Sequence, residues 1–294
     1  MATVFVSIAC YRDPDCTETV KNLYESAANP SLIYAGICEQ SEPGHSDEQV
    51  RLDGLPHPEN VTLLRMHAAE ARGPTFARYL CSLMWKGQDY FLQIDAHMRF
   101  VRGWDATLIA MLSSLPGKAL LSTYPADMKY HADYVSGKKL TSVPVMKGLK
   151  KDAREIYRPV AAAMAALPDA PVPGPSVAAG FFFCQARCLL EEVPFDPYLD
   201  DLFSGEEVLL SARLFTHGWD VFSPNVPLAF HKYVRPGEPR YWERQKNDEE
   251  SVKRMKNILK LSAEAPAHLN RHLDRFGLGR ERQLDDFWLK AIAS

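Results

Sequence analysis

The chain has 294 residues, of which 46% are hydrophobic and 24% charged, with a formal net charge of −3. That length fits one large domain or two small ones, and the composition is ordinary for a globular protein that buries its core without disulfides. The charge balance, with no face-long basic run, disfavours nucleic acid as the main partner, and no apolar run approaches the roughly 20 residues that cross a bilayer.

Thr3–Cys10 (TVFVSIAC) predicts a buried strand that ends in the polar turn Tyr11–Asp15. Asp13 suits a helix N-cap and Pro14 the first helical position, opening a helix over about Cys16–Ala28. Leu32–Glu39 and Val61–Met66 read as further strands, with a charged Ser/Glu/Gly loop between them. Gly73-Pro74 starts a helix that carries Phe76, Tyr79, Leu80, Leu83 and Met84 at helical spacing. Asp89–Ile94 is a strand ending at Asp95, followed by a helix over Trp104–Leu115 and a strand over Ala119–Tyr124.

Asp127–Asp169 is less regular. Lys147–Lys151 reads there as a solvated loop, the alternative being a guide for an anionic donor, and an Ala-rich stretch runs into PDAPVPGP. Val177–Cys184 resumes as a core strand and Ser204–Gly218 as a helix, then Val221–Phe222 and Leu228–His231 as short strands. Tyr241–Leu261 predicts a charged amphipathic terminal helix. Alternation of strands and helices implies parallel pairing in an α/β sandwich, with residues 1–235 as the main domain and 236–294 as a helical extension packed on it. Cys10, Cys16, Cys38, Cys81, Cys184 and Cys188 form no pair of CxxC motifs and sit mostly in apolar stretches, as reduced buried thiols do. No signal peptide is read, so the expected compartment is the cytoplasm.

Ligands bind in open α/β sheets at the C-terminal ends of the strands, which is where Asp95 falls. In extended backbone, residues i and i+2 project to one side, so Asp95 and His97 can approach one cation and leave positions for diphosphate oxygens and water. Mixed carboxylate, imidazole and phosphate ligation suits Mn²⁺ (or Mg²⁺) better than Ca²⁺. His231, just after an apolar strand, is placed to complete the site. Each residue also has a plainer reading: Asp95 as a turn former, His97 at the surface, His231 as an edge histidine. Glu206 and Glu207 open a helix, where acidic residues complement the dipole in any case. Arg78 is either a diphosphate contact or a surface ion pair, and Tyr11 either stacks on a base or only packs.

Together, QIDAHMRFVRGWD (Gln93–Asp105), ARGPTFAR (Ala71–Arg78) and SGEEVLLSARLFTHGWDVFSP (Ser204–Pro224) resemble the GlcNAc-transferring GT60-type family. That family includes polypeptide α-N-acetylglucosaminyltransferases acting on hydroxyproline. The order of pieces is also similar to that of polypeptide N-acetylgalactosaminyltransferases, which use a D-x-H motif and a later histidine for Mn²⁺. The resemblance runs from about Thr3 to Tyr233. It implies a GT-A (Rossmann-like) nucleotide-diphospho-sugar transferase sandwich with a mixed central sheet, a UDP-sugar donor such as UDP-GlcNAc, and retention of anomeric configuration. It also implies metal positions at Asp95, His97 and His231, and a donor contact at Arg78. The uridine edge falls on the turn from Ser7 through Ala9 and Tyr11 to Arg12, and the acidic motif near the transferred sugar on Glu206 and Glu207. Neither a secretory anchor nor a lectin-like domain is expected. Asp127–Pro175 diverges and would line the acceptor side, so a protein or a glycan acceptor fits equally, and an oligomer is compatible with the sequence.

Two other classes compete. A nucleotidyltransferase shares the sandwich and the metal, but would carry a Gly-rich loop after the first strand, where Ala9–Asp13 has no glycine. A catalytically inactive GT-A-fold binding protein would have no need of Asp95, His97 and His231 together.

Overall fold

The computed structural model describes residues 1–163, 166–244, 247–262 and 266–292. The first strand, β1 (Val4–Tyr11), is buried on both faces, as a central parallel strand must be. Val4, Val6, Ile8 and Cys10 join one apolar cluster and Phe5 another, the period of two expected of a strand. Helix α1 (Cys16–Ser26) returns the chain to β2 (Ile33–Ser41), and β3 (Val61–His67) follows. Helix α2 (Pro74–Ser82) starts at Gly73, whose φ of +97° a side chain would resist, with Pro74 in the first turn where its missing N–H costs nothing. Next come β4 (Tyr90–Asp95), the short β5 (Met98–Phe100), helix α3 (Trp104–Ser113) and β6 (Ala119–Ser122).

The stretch expected to be irregular holds β7 (Ala126–Asp127), the one-turn α4 (His131–Val135), and an antiparallel hairpin of β8 (Pro144–Lys151) and β9 (Tyr157–Ala163). Lys147–Lys151 is thus strand rather than loop: Gly148 is buried and Leu149 half-buried, while the lysines at 147, 150 and 151 are exposed. The Ala-rich stretch lies partly outside the described residues. After β10 (Val172–Gly174), the strand expected over Val177–Cys184 is confined to β11 (Phe181–Gln185), because the chain turns at Ala178–Phe181 and brings Ala179 and Gly180 to the cleft described below. Helix α5 (Glu206–Thr216), β12 (Asp220–Ser223) and β13 (Ala229–His231) complete the sandwich. The expected helix over Tyr241–Leu261 is a correction. Its described residues form a 3₁₀ turn at Tyr241–Glu243 and then α6 (Glu249–Ile258), while positions 245 and 246 lie outside the described residues. The four-residue α7 (Leu273–Phe276) and α8 (Leu284–Ile292) follow.

The eight-stranded sheet runs β10-β12-β6-β11-β4-β1-β2-β3. Strands β3, β2, β1 and β4 are mutually parallel, whereas β11 is antiparallel to both its neighbours, so the sheet is mixed as expected. Strands β2 and β4 flank β1 on opposite sides, so the strand order reverses there and a crevice opens at the C-terminal ends of β1 and β4. On one face α1 and α3 pack Val20, Leu23, Trp104 and Leu108 against the odd-numbered phenylalanines of β11, Phe181 and Phe183. On the other face Leu210 and Leu214 of α5 meet Phe91 and Phe182. The C-terminal helices close a third cluster, in which Met255, Ile258, Leu284 and Phe287 cover Val208 and Leu209 of α5.

Candidate active site

Strand β4 delivers Asp95 to the crevice, and the chain turns at once through Ala96-His97 into β5. A second, three-stranded sheet, β5-β13-β7, then supplies the third residue: β13 lies antiparallel to β5 with His231 opposite Met98. The Lys232 amide donates to the His97 carbonyl at 3.2 Å, which fixes that register beside the turn. Residues 136 positions apart in sequence therefore meet, with His231 Nε2 lying 3.0 Å from Asp95 Oδ2. The rings of His97 and His231 pack edge to face with centroids 4.6 Å apart. One ligand atom from each of Asp95, His97 and His231 falls within 4.8 Å of the others.

The electrostatics fit a cation at that point. Burial works against a charge on Asp95, but His231, His97 and Arg78 outweigh it and hold its carboxyl well below the ordinary range. Burial keeps His231 below its usual value despite Asp95, which favours the neutral imidazole that ligates metals. His231 Nδ1 is buried with no hydrogen-bond partner among the described residues. One carboxylate and two imidazoles form a donor set suited to a borderline divalent ion. Gly180 is required beside them: a Cβ there would lie 2.5 Å from Asp95 Oδ2.

The same cleft, about 280 Å³ in volume, is walled by α2 and the start of α5. Arg78 is 6% exposed and donates to Glu206 at 2.7 Å, while Thr75 Oγ1 donates to the same oxygen at 2.8 Å. Its other guanidinium nitrogen lies 3.9 Å from Asp95. Arg78 is thus neither a surface ion pair nor a free cation, but a buried pair on the cleft wall. Glu207 accepts from the Ala179 amide at 2.9 Å and from the Tyr124 hydroxyl at 3.0 Å. Burial, joined by the charge of Glu206, raises the Glu207 carboxyl to about 7 against those hydrogen bonds.

Of the residues singled out in the sequence, Ala9, Tyr11, Arg78, Asp95, His97, Glu206, Glu207 and His231 all line this cleft. Two do not. Ser7 is fully buried in the middle of β1, two residues short of the crevice. Arg12, at φ +48°, turns its guanidinium onto Glu48 at 2.8–2.9 Å, away from the cleft. The sequence reading missed Tyr124, Arg158, Tyr233, Arg235, Tyr241 and Trp242, which also line it. Four of these sit in Tyr233–Trp242, within eleven residues of His231, a proximity that signals them in hindsight. Tyr241 and Trp242 further show that the segment after residue 235 contributes to the cleft as well as to packing.

A family model described as glycosyltransferase (GlcNAc) matches residues 3–53 and 44–293. The chain belongs to this glycosyltransferase family. A comparison with curated proteins gave no match. Among solved structures, the transferase is similar to GalNAc-T7 with UDP, GalNAc and Mn²⁺, at 16% identity and a TM-score of 0.66. That likeness covers 99% of this chain and 57% of the other, so the transferase spans little more than half of GalNAc-T7. It is also similar to S. aureus TarS 1–349 in complex with UDP-GlcNAc, at 12% identity and TM-score 0.54, over 98% of this chain and 79% of that one. The mannosyltransferase PcManGT from Pyrobaculum calidifontis, in complex with GDP-Man and Mn²⁺, matches at 14% identity and TM-score 0.52, over 99% and 73%. At these identities the likeness is one of fold, and that fold is GT-A. No helix among the described residues is long and apolar enough to cross a membrane.

Proposed function

We propose that this glycosyltransferase is metal-dependent and moves GlcNAc, or a related HexNAc, from UDP to a hydroxyl acceptor on a protein or glycan with retention of configuration. The observation that carries the reading is the convergence of Asp95, His97 and His231 in the crevice between β1 and β4. Mn²⁺ accompanies UDP and GalNAc in GalNAc-T7 and GDP-Man in PcManGT, in the same fold, which supports the metal, and UDP-GlcNAc in TarS supports the donor class. Retention, GlcNAc as the sugar and membership of GT60 rest on the resemblance of the ordered motifs. The cytoplasmic setting and the division at residue 235 belong to the same proposal.

Bound at these residues, a divalent cation would neutralise the charge that develops on the leaving diphosphate, worth several kcal/mol. The chain's own groups do the positioning. Asp95 stays ionised because His231, His97 and Arg78 surround it. Glu206 fixes the Arg78 guanidinium, so this cation faces the diphosphate side without a search over rotamers. Glu207 holds or releases a proton close to neutral pH, and with Tyr124 presents a polar pair for a sugar or acceptor hydroxyl. Tyr11, edge to face with Tyr241 at 5.2 Å, forms an aromatic wall on the β1 side, suited to a base.

The test is UDP release from UDP-GlcNAc with and without Mn²⁺. Asp95→Ala and His97→Ala are expected to abolish it while circular dichroism shows the fold retained. Unchanged turnover in both variants sinks the metal assignment.

A further inference from the structure

The cap position of α1 belongs to Asp15, and Asp13, two residues earlier, makes a local turn with one of its oxygens: Oδ1 accepts from the Asp15 amide at 3.0 Å. Its other oxygen points elsewhere. Oδ2 lies 2.7 Å from His97 Nδ1, and the residue is only 3% exposed. Arg235, from the segment after β13, donates to the same Oδ2 at 2.7 Å. A local turn has no need of a buried arginine, and an aspartate that only paired Arg235 would not need the imidazole.

We propose that Asp13 is a positioning residue for the metal, holding His97 in the tautomer and ring orientation that present its Nε2 lone pair to the cation. A carboxylate accepting from Nδ1–H leaves Nε2 as the bare nitrogen and raises its basicity. The arrangement is one-sided, because the other imidazole, His231, has no partner at Nδ1 among the described residues. His97 is therefore the ligand whose geometry is set from outside the site, and Arg235 balances the buried charge that sets it. The segment that carries Arg235 also places Lys232 between Asp15 and Glu238, at 2.6 Å from each, so the brace is tied at both ends of the turn after β1.

This inference rests on the metal reading above, and the experiment separates the two. Mn²⁺ is titrated into metal-free protein, with free Mn²⁺ followed by electron paramagnetic resonance, for wild type, Asp13→Ala, Asp13→Asn and Arg235→Gln. Melting temperatures are recorded without metal. Asp13→Ala is expected to weaken Mn²⁺ by about 10- to 100-fold, the usual effect of losing such a partner. Asp13→Asn keeps an acceptor oxygen but no charge, and is expected to recover part of that loss. Arg235→Gln leaves the Asp13–His97 bond in place, so it should lower the melting temperature while affecting Mn²⁺ less than Asp13→Ala does. Wild-type affinity in Asp13→Ala overturns the inference and leaves the metal site standing, as does an equal loss in Arg235→Gln and Asp13→Ala. If Asp13→Ala does not fold, Asp13→Asn carries the test, and wild-type affinity there overturns the inference. Failure of wild type to bind Mn²⁺ overturns the metal reading itself.

Discussion

Replacing Glu207 by glutamine tests whether the cleft stores electrostatic strain in that carboxyl. The carboxyl is raised from an ordinary 4.5 to about 7, chiefly by burial and then by the neighbouring Glu206. A folded-state value above the unfolded one means that the folded protein binds the extra proton. Its favourable contribution is therefore complete below pH 4.5 and is lost as pH rises through 7. At about 1.4 kcal/mol for each tenfold change in proton affinity, the loss is about 3 kcal/mol. Glutamine carries no charge, keeps an oxygen for the Ala179 amide and offers an N–H to the Tyr124 hydroxyl, so Glu207→Gln escapes that loss. The assay is urea unfolding of wild type and Glu207→Gln in chelator from pH 4.5 to 8.5. All other titrations cancel in the difference between the two proteins. The variant should gain on wild type by about 3 kcal/mol across that range, with the change centred between pH 5 and 7. Parallel stability curves would refute the reasoning, since they would mean that Glu207 titrates alike in the folded and unfolded chains.

Other consequences follow from neighbouring contacts. Gly180→Ala places a Cβ against Asp95 Oδ2 and should weaken Mn²⁺ at least tenfold with little change in melting temperature; unchanged affinity would show that the carboxylate has room to move. Arg78→Ala leaves Glu206 buried without its cation, at a cost of about 3–5 kcal/mol, and adding Glu206→Gln should recover much of it in a double-mutant cycle. Arg254 of α6 and Asp196, in the connection before α5, are each 1% exposed and 2.8 Å apart, a buried pair that ties the C-terminal segment to the sandwich. Arg254→Met should cost a similar 3–5 kcal/mol in urea unfolding while leaving Mn²⁺ affinity unchanged, because the pair lies outside the cleft.

The sandwich was legible because its strands carry strong signals. Thr3–Cys10 and Asp89–Ile94 are apolar runs bounded by polar turns, and they are β1 and β4 to within a residue or two. The hairpin of β8 and β9 was not legible, because a bulge between Met146 and Gly148 breaks the alternation of β8 and its lysines at 147, 150 and 151 are exposed. The terminal helix was over-extended for a related reason. Mixed charges over Tyr241–Leu261 satisfy a helical pattern, yet the described part of this segment opens with a 3₁₀ turn whose Tyr241 and Trp242 turn toward the cleft. Ligand-facing aromatics in a surface segment carry no periodic mark.

The site itself was half visible, and the hidden half has a common cause. Strand C-termini are where the crevice opens, and they are also where the next helix begins, so one short polar residue can serve both. Asp13 was fully accounted for as a helix N-cap, but the cap falls at Asp15; Asp13 Oδ1 makes only a turn onto the Asp15 amide, and Oδ2 lies on His97. Glu206 and Glu207 were fully accounted for by the helix dipole, yet one pairs Arg78 and the other holds a proton near neutrality. In a sheet of this topology, a polar residue at a helix start that a local rule already explains therefore deserves a second reading if the preceding strand ends in the crevice. A local hydrogen bond occupies one oxygen of a carboxylate and leaves the other free for the site.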